Sequence, residues 1–148
     1  MTVRRATHAD TDALLALWAV ARTSHAVTED SAAAVRAVLD RSAVFVAAPG
    51  VRSPQSTTEP GLAGAIVAGW DGWRGNLYRL AVRPEHRREG LAGALVAAAE
   101  AWLIEQGAAR LSILVGFDDA DARGFWASVG YGADAVIGRM VRDLDSPS

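Results

Sequence analysis

The chain has 148 residues, which fits one domain able to bury roughly two-thirds of its unfolded surface without a disulfide or a metal. It contains no cysteine, and its histidines, His8, His25 and His86, do not fall in a paired metal spacing, so we expect no metal. The net charge of −2 argues against a nucleic-acid binder, and no apolar run approaches the ~20 residues of a membrane span. These features predict a single cytoplasmic domain over residues 1–148, with neither nucleic acid nor membrane as a partner.

The N-terminal third predicts a strand, two helices and a second strand. Residues 2–6 can form the first strand, and Thr7 with Asp10 three positions later is typical of a helix start. Residues 28–30 open a second, alanine-rich helix that ends near Asp40, and the apolar run 43–48 indicates a buried strand. The apolar face of the first helix recurs with a helical period. Its members are Leu14, Leu17, Trp18 and Ala21.

The middle of the chain predicts a loop and two strands. Residues 49–60 are rich in Gly, Ser, Thr and Pro without any periodicity, which indicates a mobile loop. Residues 62–70 give a strand, Asp71-Gly72 a turn, and residues 77–82 the next strand.

The C-terminal half predicts two helices and three strands. One helix covers residues 91–106 and stops at Gly107, and a strand with alternating apolar residues begins at Leu111. Asp119 is placed to cap the next helix, which Gly130 ends. A short strand around Tyr131 and a last strand over residues 135–144 complete the order βααβββαβαββ.

The turn Arg87-Arg88-Glu89-Gly90-Leu91-Ala92 joins the strand 77–82 to the long helix. Such a turn directs backbone N–H groups that have no intrahelical partner toward a ligand. These groups lie at the positive end of the helix dipole, which favours a phosphate as the ligand. The glycine patterns of dinucleotide and mononucleotide loops are both absent. Cationic side chains concentrate around this turn, as a phosphorylated small ligand requires. They are Arg74, Arg79, Arg83, His86, Arg87 and Arg88.

The pattern Arg-x-x-Gly-x-Ala in this turn resembles the acetyl-coenzyme A signature of the GNAT superfamily of N-acetyltransferases. A second segment, residues 119–131, is similar to the superfamily pattern Asn-x-x-Ala-x-x-Leu-Tyr-x-x-x-Gly-Phe. Within the superfamily the run 71–131 looks most like small bacterial acetyltransferases, some of them close to the ribosomal-protein alanine acetyltransferases. The resemblance implies an α/β fold with a twisted, mostly antiparallel mixed sheet flanked by about four helices.

The resemblance also implies where acetyl-CoA, the cosubstrate, would bind. The pantetheine arm would lie where the strands that begin near Leu77 and Leu111 splay apart, paired with main-chain groups of Leu80 and Val82, and the amides of the turn would hold the pyrophosphate. The side chains of Leu80, Ala81 and Val82 would be sheet core in any case. The residues implied in cofactor binding are Leu80, Ala81, Val82, Arg87, Arg88, Glu89, Gly90, Leu91, Ala92, Asp119 and Trp126.

Three residues are candidates for the chemistry. A main-chain N–H near Leu80 would polarise the thioester carbonyl, and Tyr78 would order water or substrate, or else be a half-buried strand aromatic. Trp126 stands where relatives often carry a tyrosine acid. Its indole N–H could stabilise the leaving thiolate without protonating it, or the ring could belong to the buried stripe of its helix. Asp119 replaces an asparagine and keeps only its capping oxygen.

The catalytic base stays open. Relatives often place a carboxylate on the strand before the signature, but this chain has Asn76, Tyr78 and Arg79 there. Carboxylates that could act through water are Glu29, Asp71 and Asp118.

The resemblance therefore predicts an N-acetyltransferase that acts by direct attack of a primary amine, carried by a small molecule, a protein N-terminus or a lysine. Asp71 and the residues around Glu29 hint at a cationic amine, and a homodimer is allowed by resemblance only. The alternatives are a non-catalytic acyl-CoA-binding sensor, suggested by the missing carboxylate and tyrosine, and a purely structural interaction module.

Overall fold

A computed structural model of the protein describes residues 1–21, 30–49 and 61–144. The predicted loop falls mainly on residues 50–60, and the start predicted for the second helix on residues 28–29, so both lie outside the described residues. The chain divides into two compact units, Met1–Leu114 and Val115–Ser148, which are described separately below. The expectation of one domain over residues 1–148 stays a prediction.

The first unit contains a five-stranded sheet in the order β1-β2-β3-β4-β5. Neighbouring strands are antiparallel except β4 and β5, which are parallel and are connected through a helix. The mixed, mostly antiparallel sheet predicted from the sequence is confirmed. The strands are β1 Thr2–Arg5, β2 Ala43–Ala48, β3 Gly64–Trp70, β4 Gly75–Val82 and β5 Leu111–Ile113.

Within the described residues, three helices accompany this sheet and a fourth belongs to the second unit. Thr7 donates its N–H to the Asp10 carboxylate at 2.8 Å, so the predicted helix start is confirmed. The second helix starts later than predicted, because Ser31 caps it by accepting the Ala34 N–H at 3.1 Å. The helices are α1 Thr11–Ala21, α2 Ala32–Arg41, α3 Leu91–Gln106 and α4 Ala120–Ser128, with short 3₁₀ turns at His8–Asp10 and Pro84–His86.

The helices of the first unit pack on opposite faces of the sheet. Register pairs Val44 with Val67 and Ala65 with Ala81, so these strand residues share the face that buries α1 and α2. Gly64, the neighbour of Ala65 along β3, points to the other face. A Cβ there would lie 3.0 Å from Leu95 Cδ1 of α3 and 2.9 Å from the Ala81 carbonyl oxygen. The close approach of α3 to the sheet therefore requires glycine at this position.

In the second unit, α4 begins and ends as predicted. The Asp119 carboxylate accepts the Ala122 N–H at 3.0 Å, and Gly130 beyond the helix has a φ of 100°.

The two strands predicted after α4 are wrong, because the described residues 131–144 form no strand. The Asp134 carboxylate accepts the backbone N–H groups of Val136 and Ile137, at 2.9 and 3.0 Å, and so takes up two donors that a strand would need at its start. The apolar residues that suggested alternation are exposed instead. They are Val136, Ile137, Met140, Val141 and Leu144.

Candidate functional site

The pairing of β4 with β5 is much shorter than β4 itself. The two strands pair only from Gly75 to Leu77, and the described residues give residues 78–82 no partner on β5. This divergence agrees with the predicted splay, which leaves main-chain groups of β4 available to an extended ligand.

A β-bulge interrupts β4 next to the divergence. Register pairs Val67 with Tyr78 and Ala65 with Ala81, so Ile66 alone stands opposite both Arg79 and Leu80. Arg79 has a φ of +52°, in the left-handed region that non-glycine residues rarely adopt. A bulge of this kind interrupts the regular ladder and changes the direction of the local peptide groups, among them the one that joins Arg79 to Leu80.

The turn before α3 leaves several backbone donors unused. The described residues contain no backbone acceptor for the N–H groups of residues 88–93, and the first bond into the helix runs from the Ala94 N–H to the Gly90 carbonyl at 3.1 Å. Gly90 stands at the N-cap with a φ of 77° and has no side chain with which to cap them. A Cβ at Gly90 or Gly93 would meet no atom within 4 Å. The first turn of α3 is therefore open to an anion.

Among the main-chain amides of residues 87–92, which were predicted to hold the pyrophosphate, that of Arg87 already has a partner within the protein. The Arg87 N–H donates to the Pro84 carbonyl at 3.3 Å, because residues 84–86 form a 3₁₀ turn. The available donors therefore begin at Arg88, and the prediction that Arg87 contributes its amide needs this correction.

Some of the cationic side chains predicted to cluster around the turn already have partners within the protein. The Arg79 guanidinium forms an ion pair with Asp30, and Arg83 Nε donates to the Leu62 carbonyl at 2.7 Å. Arg87 and Arg88 are exposed and make no salt bridge within the described ranges. These two side chains therefore carry exposed charge beside the open turn.

Tyr78 lies along the sheet on the face that carries α1 and α2. Its hydroxyl is 3.1 Å from Ser42 Oγ, and a Cβ added to Gly69 would lie 3.0 Å from the same hydroxyl. The side chain is 37% exposed, so it is a half-buried strand aromatic whose polar end still reaches solvent. No local sequence pattern indicated the contact with Ser42, which precedes β2 and is distant from Tyr78 along the chain.

The structure reduces the set of carboxylates that could serve as the catalytic base. The Asp71 carboxylate accepts the N–H groups of Arg74 and Trp73, at 2.7 and 2.8 Å, within the turn between β3 and β4. These bonds, that of Arg74 foremost, lower the pKa of Asp71, so it is a poor proton acceptor. Glu29 lies outside the described residues, and Asp118 belongs to the second unit.

Within the second unit, Trp126 is buried at 6% exposure. Its ring meets Phe125 and Tyr131 edge to face, with ring centroids 5.2 and 5.1 Å away. This environment agrees with the interpretation of Trp126 as part of the helix's buried stripe. Asp119 uses its carboxylate as the helix cap, as expected.

Two negative observations hold for the described ranges. No helix there combines the length and apolar character needed to cross a bilayer. The same residues contain no group of three or more histidine and acidic side chains arranged to hold a metal ion.

Comparison with known proteins gives two kinds of match. The sequence model described as the acetyltransferase (GNAT) family matches residues 20–131. A protein of Yersinia pestis (strain Pestoides F) named "Acetyltransferase" is 36% identical over 76 residues, which are 51% of this chain and 54% of that protein. The chain thus spans about half the length of the curated relatives it matches.

Solved structures share the fold at low sequence identity. The aminoglycoside 6'-N-acetyltransferase AAC(6')-Ih from Acinetobacter baumannii aligns with a TM-score of 0.73 at 14% identity, over 97% of this chain and 99% of that one. AAC(6')-Iy in complex with the bisubstrate analogue CoA-S-monomethyl-acetylneamine aligns with a TM-score of 0.71 at 17% identity, over 96% and 98%. At these identities the matches show the fold alone.

Proposed function

Because the chain belongs to the acetyltransferase (GNAT) family, we propose that it transfers an acetyl group from acetyl-CoA to a primary amine by direct attack. The observation that carries this proposal is the open first turn of α3, which follows directly on the strand that diverges from its neighbour. One structural neighbour is a complex with a coenzyme A bisubstrate analogue, which supports the choice of cosubstrate.

The residues present fit coenzyme A. The amides of residues 88–92 would bind the pyrophosphate, and the exposed side chains of Arg87 and Arg88 would add charge-assisted contacts. Main-chain groups of Leu80 and Val82 would pair with the pantetheine amides along the part of β4 that β5 leaves uncovered, and Ala81 keeps its side chain in the core. The bound thioester supplies an activated acetyl group.

Catalysis would come mainly from positioning. The Leu80 N–H would polarise the acyl carbonyl, and the Tyr78 hydroxyl, held near Ser42, would order water or the incoming amine. An alkylamine with a pKa of ~10.4 is only about one part in a thousand neutral at pH 7.4, so a route for its proton speeds the reaction. Asp71 does not provide that route, because its carboxylate is held in the turn.

Trp126 and Asp119 are proposed first as structural residues of the second unit. Replacing Trp126 by phenylalanine keeps most of the aromatic packing and removes the indole N–H. A thiolate-stabilising role predicts a fall in kcat larger than the loss of stability explains, whereas packing alone predicts a lower melting temperature with an unchanged kcat.

The acceptor is proposed as a primary amine, and the neighbours guide the choice of test compounds. Two of them are aminoglycoside acetyltransferases, so aminoglycosides belong in the test panel beside polyamines, N-terminal alanine peptides and lysine peptides. We place the reaction in the cytoplasm.

The test measures acetyl-CoA binding by calorimetry and coenzyme A release with each amine. Binding with amine-dependent release supports the transferase. If acetyl-CoA binds but no amine causes coenzyme A release, the result would favour a non-catalytic acyl-CoA sensor. The absence of a carboxylate at Asn76, Tyr78 and Arg79 supports that alternative. No binding at millimolar acetyl-CoA and no thermal stabilisation would refute both and favour a structural module.

A further inference from the structure

We infer that Trp18 and Arg79 are positioning residues that aim and polarise the Leu80 N–H. This inference rests on the proposed function, in which that N–H meets the acyl carbonyl. It concerns a peptide group whose orientation is fixed from α1, a helix whose sequence pattern indicates only a core-facing role.

Arg79 is held at both its side chain and its carbonyl. Its guanidinium forms an ion pair with Asp30, whose side chain is 16% exposed, and lies 5.5 Å from the Trp18 ring centroid. The indole Nε1–H of Trp18 donates to the Arg79 carbonyl oxygen at 3.2 Å. One indole therefore contacts the guanidinium through its face and the main chain through its edge.

The hydrogen bond to the carbonyl determines where the next N–H points. The Arg79 carbonyl and the Leu80 N–H belong to the same peptide group, which is planar and trans, so the two bonds point in opposite directions. Fixing the oxygen toward Trp18 aims the N–H away from α1. A carbonyl that accepts a hydrogen bond also makes its own N–H a stronger donor, because such bonds polarise one another.

The local conformation needs this support. Arg79 has a left-handed φ and lies in the bulge, where the regular ladder is interrupted. Trp18 is 3% exposed, so its indole N–H requires an acceptor inside the protein, and the bulge carbonyl is that acceptor. The bulge and the buried indole thus stabilise each other.

The key variant is Trp18→Phe, which keeps an aromatic ring for packing but removes the N–H. Its matched control is Trp102→Phe in α3. The Arg5 guanidinium carbon lies 5.4 Å from the centroid of the Trp102 ring, and this indole has no part in the bulge. The measurements are kcat, KM for the amine, the acetyl-CoA Kd, the melting temperature, and the exchange rate and chemical shift of the Leu80 amide in the ligand-free protein.

We expect Trp18→Phe to lower kcat about tenfold, which is less than the ~10²–10³-fold loss for removing an oxyanion donor, since the N–H is misdirected but still present. The KM and Kd should change by less than about twofold, since ground-state contacts stay in place. The Leu80 amide should exchange faster. Trp102→Phe should lower the melting temperature without altering kcat or the Leu80 amide.

Equal kcat values for the two tryptophan variants, or an unmoved Leu80 amide signal in Trp18→Phe, would overturn the inference. Should Trp18→Phe fail to fold, Asp30→Asn releases the guanidinium and leaves the indole in place. For Asp30→Asn, a fall in kcat smaller than that expected for Trp18→Phe, together with a shifted Leu80 amide signal, supports the inference. If Asp30→Asn alters neither kcat nor the Leu80 amide signal, the inference is overturned. A wild type that binds no acetyl-CoA refutes the proposed function instead, while the ligand-free amide measurement still reports on the hydrogen bond.

Discussion

Replacing Gly90 by asparagine tests whether the first turn of α3 holds a diphosphate. Gly90 has a φ of 77°, which asparagine tolerates better than other side chains, so the loss in unfolding free energy should be about 1 kcal/mol. The protein itself offers no obstacle, because a Cβ there would meet no atom within 4 Å. A loss of acetyl-CoA affinity in Gly90→Asn would therefore come from the asparagine side chain occupying the ligand's space, and not from a clash within the protein.

The expected effect on binding follows from the hydrogen bonds at risk. A bond from a backbone N–H to a charged oxygen contributes about 1.5–3 kcal/mol. Displacing the diphosphate from even one amide of residues 88–92 should therefore raise the acetyl-CoA Kd about tenfold or more, since 1.4 kcal/mol corresponds to a factor of about ten.

Gly107→Asn is the matched control for calorimetry and thermal unfolding. Gly107 ends the same helix with a φ of 107° and also has open space at its Cβ, so the backbone penalty is similar. The Kd of this control should equal that of the wild type. If Gly90→Asn also bound acetyl-CoA with the wild-type Kd, the assignment of the turn as the diphosphate site would be refuted.

Three further predictions concern the Arg4–Asp10 ion pair, the core and the strand aromatic. Arg4 Nη2 forms an ion pair with the Asp10 carboxylate at 2.8 Å, and its hydrogen bond lowers the folded pKa of Asp10. Arg4→Met should therefore destabilise the protein most above about pH 5, where the carboxyl is ionised in the folded and the unfolded chain alike, and the difference should shrink as the pH falls and the carboxyl is protonated, measured by urea unfolding. Gly64→Ala should destabilise the protein by about 1–3 kcal/mol through overpacking, whereas Gly93→Ala in α3, where a Cβ would meet no atom within 4 Å, should stabilise it by about 0.5–1 kcal/mol; equal unfolding midpoints would contradict this. Tyr78→Phe should lower kcat by less than the ~10²-fold of a lost general acid or base and leave the acetyl-CoA Kd unchanged; an unaltered kcat would remove Tyr78 from the chemistry.

The sequence predicted the strand, turn and helix around Gly90 well, because the signals there are local. Gly90 and Gly107 both adopt left-handed φ values, so the bounds predicted for α3, residues 91–106, agree with the structure. The divergence of β4 from β5 came with the family resemblance. These features depend on short-range backbone preferences or on a pattern already known.

Other features could not be predicted because they depend on contacts between distant residues. Nothing in the local sequence marks Arg79 as the site of a bulge, since the residue is not glycine. Its ion pair with Asp30 and its contact with Trp18 exist only once α1 has packed on the sheet. The error after α4 has a local cause, the turn at Asp134, which competed with a weak apolar alternation.

The uncovered stretch of β4 has a consequence for substitutions along it. In the proposed function, peptide groups of this stretch bind the thioester arm, so a substitution that preserves the backbone path and the packing of Ala81 in the core would leave that binding intact. Under the proposed function, acceptor preference would then depend on the side chains around Tyr78 and not on the peptide groups that bind the thioester arm.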